Sequence, residues 1–213
     1  MELTSEEGRV LGCLVEKELT TPEQYPLTEN ALMAACNQAT NRDPVVAYDV
    51  STVRITARSL REKGLLRMVH RAGERSDKHR HLLDSSLALS QGQMTVLAVL
   101  LLRGPQTLAE LRLRSERMHA FETLAEVQME LDALTDRDNP LVARLERQPG
   151  RKEARYGQLL VNAEQEQAKP VSDEIAQQDS LTLVGLAREV EMLRGEVAEL
   201  QTQIDRLGGT EGR

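Results

Sequence analysis

STVRITARSLREKGLLR, residues 51–67, puts a basic residue on almost every turn of an amphipathic pattern that stops at a glycine and runs into an apolar strand. Val53, Ala57 and Leu60 recur at the spacing of a helix that buries one face, and Gly64 supplies the C-terminal stop. Ser51 or Asp49 caps this helix, which is expected over 52–63. With the three apolar residues inward, the outer side carries Ser51, Ile55, Arg58 and Glu62, flanked by Arg54 and Arg61. An isoleucine among arginines is odd on a solvated face. It fits a major groove, where an apolar side chain meets a thymine methyl, Arg reads guanine and further cations hold phosphates. The plainer alternative is a charged surface with an Arg58–Glu62 pair and one stray apolar residue.

Working outward, TSEE (4–7) is a capping-box signature, in which Thr4 and Glu7 open a helix that buries Val10, Leu11, Leu14 and Leu19. Thr28 caps a second helix that carries Ala31, Leu32, Ala35 and Cys36. After Gly64, LLRMVH and KHRHLL read as strands around the polar tip RAGERSD. Three helices followed by a hairpin make a winged helix-turn-helix, and Arg71, Arg75, Lys78 and Arg80 fall where its wing meets the flanking DNA backbone.

The order then recurs. QMTVLAVLLLRG, TLAELRLRSE and TLAEVQMELDALTD repeat the three helices, with capping boxes at Thr107/Glu110 and Thr123/Glu126. PLVARLERQPGRKEARYGQLL repeats the hairpin, and Val127 and Leu134 keep the spacing of Val53 and Leu60. The expected fold is therefore mainly α with small β-hairpin wings: tandem winged domains over 1–86 and 87–160. The third helix of the second copy carries Glu126, Glu130, Asp132, Asp136 and Asp138 against Arg137 alone, and a phosphate backbone repels it. Its wing is basic through Arg144, Arg147, Arg151, Lys152 and Arg155, but the domain as a whole is better suited to packing on the first, on a dimer mate or on a protein partner.

Residues 161–180 read as an acidic flexible linker. A strict heptad follows over 181–207, with Leu183, Val190, Val197 and Ile204 at a and Leu186, Leu193, Leu200 and Leu207 at d. Mostly β-branched a positions with leucine at d favour a parallel two-stranded coil, hence a homodimer. The alternative is a helix folded back on its own domain. Residues 208–213 read as a disordered end.

The net charge of −7 speaks against nucleic acid until its distribution is considered. Residues 161–213 hold 5 Lys/Arg against 11 Asp/Glu, whereas 54–81 hold nine bases against three acids. A polyanion meets the local field, not the total. With one Phe, three Tyr and no Trp, the chain is poor in the exposed rings on which single-strand and RNA binders stack bases. Cys13 and Cys36 form no C-x-x-C pair and read as small buried residues in a reducing compartment. No charged-then-apolar leader opens the chain, and the longest apolar run, 94–102, is too short for a bilayer, so a cytoplasmic protein without membrane association is expected. His70, His79 and His81 lack a completing ligand, and neither a metal nor a cofactor is expected. In the 36–49 loop, Asn37, Gln38, Asn41 and Arg42 either line a polar pocket or, as favoured here, close turns and caps. No nucleophile elbow, phosphate-binding glycine loop or acid pair occurs, and no enzymatic activity is expected.

EKELTTPEQYPLTENALMAACNQATNRDPV (16–45), LLLRGPQTLAELRLRSERM (100–118) and QPGRKEARY (148–156) closely resemble the YceH-like bacterial proteins, an uncharacterised family. The resemblance covers about residues 1–160 and implies a tandem winged-helix fold without an established activity, ligand or site. Residues and resemblance together lead to the expectation of a dimeric transcription regulator that binds duplex DNA through its first domain. A protein-interaction scaffold is the alternative.

Overall fold

The computed structural model describes residues 2–70, 76–145 and 153–161, all within one compact unit, Met1–Glu166. Arg71, Arg75, Arg147, Arg151 and Lys152, together with the linker beyond Val161, the heptad positions Leu183 to Leu207 and the C-terminal residues, lie outside the described residues.

The described chain is mainly helical, with two small antiparallel sheets. Helix α1 (Ser5–Thr20) opens with the expected box: Thr4 Oγ1 accepts from Glu7 N–H at 3.2 Å and Thr4 N–H donates to Glu7 Oε2 at 2.8 Å. Glu7 also accepts from Ser59 Oγ at 2.7 Å and Lys63 Nζ at 2.6 Å, which ties α1 to the third helix. Burial pushes the Glu7 carboxyl up, but the bonds from Lys63, Ser59 and Thr4 outweigh it and hold the group below its ordinary value. Helix α2 (Glu29–Cys36) is capped by Thr28, and α3 (Val50–Glu62) by Asp49, whose Oδ1 accepts from Thr52 N–H at 2.7 Å. Asp49 rather than Ser51 is the cap, so α3 begins before the expected residue 52, and Ser51 Oγ donates to the same carboxylate at 3.0 Å.

Strands β2 (Leu66–Val69) and β3 (Lys78–His81) pair antiparallel with Met68 opposite His79. A two-residue strand, β1 (Leu27–Thr28), adds to the other edge of β3, giving the order β1-β3-β2. It is too short for alternation to reveal. After the short α4 (Leu83–Ser86), α5 (Gln91–Arg103), α6 (Leu108–Ser115) and α7 (Leu124–Thr135) lead to the pair β4 (Val142–Arg144) and β5 (Tyr156–Gln158). Three helices and a hairpin thus occur twice in the same order. At α7 the box is only half made: Thr123 Oγ1 accepts from Glu126 N–H at 3.2 Å, but the Glu126 carboxylate reaches back to Glu122 N–H at 3.0 Å.

One apolar core runs through both halves, from Leu11 and Leu14 on α1 and Leu60 on α3 to Leu97 and Leu100 on α5 and Leu131 on α7. Helices α1 and α5 meet closely because Gly12 leaves room for Leu102; a Cβ at Gly12 would sit 2.9 Å from Leu102 Cγ. The ends of the unit are joined, since Leu3 N–H donates to Leu160 C=O at 2.8 Å. The 36–49 loop is held to α5 by Asp43 N–H donating to Leu102 C=O at 2.8 Å. Among the described residues, no helix is long and apolar enough to cross a membrane.

Candidate nucleic-acid interface

Helix α3 is divided sharply into two faces. Val53, Ala57 and Leu60 are buried as their spacing requires, and Thr56 joins them by returning its hydroxyl to Thr52 C=O at 2.8 Å. Ser51, Arg54, Ile55, Arg58 and Arg61 all lie on the exposed side, where Ile55 is 69% exposed. The structure therefore brings together the five residues singled out on this helix. Two of them already have partners. Arg54 is bidentate to Glu29 of α2, with Nε 3.1 Å from Oε1 and Nη2 2.9 Å from Oε2. Arg58 Nε meets Glu62 Oε1 at 3.1 Å, the pairing anticipated from sequence. Both pairs are open to water and are worth little there, so an arriving phosphate or base edge can replace the carboxylate.

The hairpin contributes unevenly. Arg67 on β2 is exposed and Lys78 opens β3 half-buried. Arg80 is turned back toward α1 and α4, with Nη2 3.7 Å from Glu18 and 3.6 Å from Asp84.

The histidines do not converge. His70 is exposed and pairs with Asp77 at 3.0 Å, while the fully buried His81 places Nε2 2.6 Å from Glu18 Oε2 and accepts the Leu83 N–H at Nδ1. Among the described residues, no group of three or more His, Cys, Asp and Glu side chains is placed to hold a metal ion. His79 is buried opposite Met68, and neither ring nitrogen has a hydrogen-bond partner among the described residues. Burial lowers its pKa below 6.5, with Arg61 adding to that and Glu29 and Asp77 opposing it. The unfolded chain therefore takes up this proton first, and stability is lost as pH falls from about 6.5 through the folded value. Thermal melts from pH 7 to pH 5 are expected to show a steeper fall in Tm for the native chain than for His79→Gln; equal slopes would remove His79 from this role.

The 36–49 loop closes on itself, as favoured from sequence. Asn37 Nδ2 donates to Tyr48 C=O at 2.7 Å and its Oδ1 accepts from Tyr48 N–H at 2.8 Å. Gln38 accepts from the buried Arg42, and the exposed Asn41 accepts from Arg103 at the end of α5. Arg42 itself is buried, with Nη1 and Nη2 on the two Glu16 oxygens at 3.1 and 2.6 Å. The same fold brings the thiols of Cys13 and Cys36 side by side, and the Cys13 contact together with burial pushes the Cys36 thiol far up. Sequence spacing carries no sign of that proximity.

The family model described as "Protein of unknown function, DUF480" matches residues 3–151. A UPF0502 protein from Pelobacter propionicus is 46% identical over 217 residues, covering 98% of each chain. UPF0502 proteins from Shewanella piezotolerans, 45% identical with 96% of each chain covered, and Klebsiella pneumoniae, 42% identical with 97% of this chain and 96% of the relative covered, are similar along nearly their whole lengths. None of these names states an activity.

Proposed function

We propose, from the premise that this chain belongs to the DUF480 family, that it is a non-enzymatic, cytoplasmic winged-helix protein that binds duplex DNA through α3 and acts as a transcription regulator. The observation that carries this reading is the outer face of α3, where an isoleucine 69% exposed is set among Arg54, Arg58 and Arg61. Ile55 suits a thymine methyl, Arg54 or Arg58 a guanine edge, and Arg61, Arg67 and Lys78 the phosphates. The twice-repeated order of three helices and a hairpin supports tandem winged domains, with boundaries at 1–86 and 87–160. The heptad of Leu183, Leu186, Val190, Leu193, Val197, Leu200, Ile204 and Leu207 supports a parallel homodimer, which doubles the number of reading helices.

A second reading, a protein-interaction scaffold, is favoured by one observation: Arg54 and Arg58 have carboxylate neighbours, which lowers the net field of the face. Fluorescence anisotropy of a mixed-sequence duplex against salt separates the two. Duplex binding is expected to weaken linearly in log–log form as salt rises, with a slope of about one per phosphate neutralised. An absence of salt-dependent affinity for any duplex hands the function to the scaffold.

A further inference from the structure

We infer that the outward face of α7 is a docking surface for a second copy of this chain, and that the α3 face of that copy is its occupant. The two helices hold equivalent places in the repeat. The register that sets Val53 on Val127 and Leu60 on Leu134 also sets Ile55 on Met129, Arg58 on Asp132 and Glu62 on Asp136. Like Ile55, Met129 is exposed, at 64%. Unpaired apolar side chains of this size at the centre of a helix face, with charges around them, have the layout of an interface anchor and its rim.

The sign of the charge selects the occupant. Among the described residues, Glu126, Glu130, Asp132 and Asp136 have no Lys or Arg within 4.0 Å. Their hydrogen bonds go to neutral donors: Asp132 accepts from Gln128 Nε2 at 2.6 Å and Glu130 from Ser90 Oγ at 3.3 Å. This negative field repels a nucleic acid and calls for a polypeptide face that is basic around an apolar centre. The chain carries such a face on α3, where Arg58 and Arg61 lie beside Ile55, and Glu62, 3.1 Å from Arg58 in the exposed pair, gives way to the α7 carboxylates on docking. Docking sets Ile55 against Met129 and the two arginines against Asp132 and Asp136. The contact also covers the surface that duplex DNA requires, so DNA and self-association through α7 exclude one another. The self-association itself does not depend on the DNA reading.

Sedimentation velocity of the full-length chain tests this at about 50 mM and about 500 mM salt, where exposed charges are respectively weakly and strongly screened. Low salt is expected to drive association beyond the high-salt state, with an affinity at least about tenfold stronger. A heptad-driven dimer is apolar at a and d and is common to both conditions. The pair Asp132→Lys and Asp136→Lys should abolish the low-salt species, as should the pair Arg58→Glu and Arg61→Glu. An equimolar mixture of the two variants should restore it. Met129→Gln, a single exposed change, provides an independent loss-of-association variant if either charge-reversed chain fails to fold. Identical sedimentation of the native chain at both salts, or a mixture that associates no more than its components, would overturn the proposal. Because DNA is absent throughout, failure here is distinct from failure of duplex binding.

Discussion

Arg42→Met is expected to lower the stability of the chain by about 3–5 kcal/mol, the usual result of removing one partner of a buried ion pair. The Arg42 side chain is fully enclosed, and the N–H groups of its guanidinium serve five acceptor oxygens: both of Glu16, Ala35 C=O, Asn41 C=O and Gln38 Oε1. Methionine fills similar volume but leaves the Glu16 carboxylate without its cation and the Ala35 carbonyl without a donor. The loop that leads from α2 to the Asp49 cap of α3 loses its anchor at the same time. In a unit of this size the loss corresponds to roughly 10 °C in Tm. Urea denaturation followed by circular dichroism measures it. The double variant Arg42→Met with Glu16→Leu should recover much of the loss, because no unpaired charge is then buried. A fall below about 1 kcal/mol in the single variant would mean that the pair is effectively solvated.

The second large effect concerns recognition. Replacing both Arg54 and Arg58 with Ala is expected to weaken duplex binding by roughly 5- to 150-fold for each base-reading arginine removed, while leaving the fold unchanged because both side chains are exposed. Removing Arg54 also frees Glu29, whose carboxyl its hydrogen bond holds below the ordinary value. The released negative charge at the N-terminus of α2 then faces the approaching duplex and adds to the loss. Replacing Lys78 alone should weaken all sequences alike and flatten the salt slope by about one unit, the share of a single neutralised phosphate. Affinities of both variants for a preferred and a scrambled duplex, at matched salt, separate the two behaviours. Equal loss on both duplexes for the Arg54/Arg58 variant would reduce these arginines to phosphate contacts.

Much of the helical framework is legible because its signals are local. The inner face of α3 follows from Val53, Ala57 and Leu60, and Thr4, Thr28 and Thr107 cap the helices that their side chains announce. The candidate face is legible for the same reason: once one side of a helix is buried, the other is given. What escapes depends on distant residues. Arg54 finds Glu29 across 25 residues and Arg42 finds Glu16 across 26, and no periodicity links either pair. Arg42 reads as a loop cation until the chain folds α1 beneath it. Arg80 reads as a wing residue, and no spacing announces its pairing with Glu18 of α1. Met129 escapes notice as an exposed counterpart of Ile55 because the acidic residues around it dominate the sequence of α7.

The most direct measurement is a ¹H–¹⁵N correlation spectrum of the full-length chain, titrated with a short duplex at low salt. Shifts are expected to concentrate on residues 50–62 and on the exposed positions of the β2–β3 hairpin, while the change over 124–135 is only that of releasing the α7 face, which dilution of the chain without duplex reproduces. Perturbation centred on α7, or an unchanged spectrum at saturating duplex, would contradict recognition through α3.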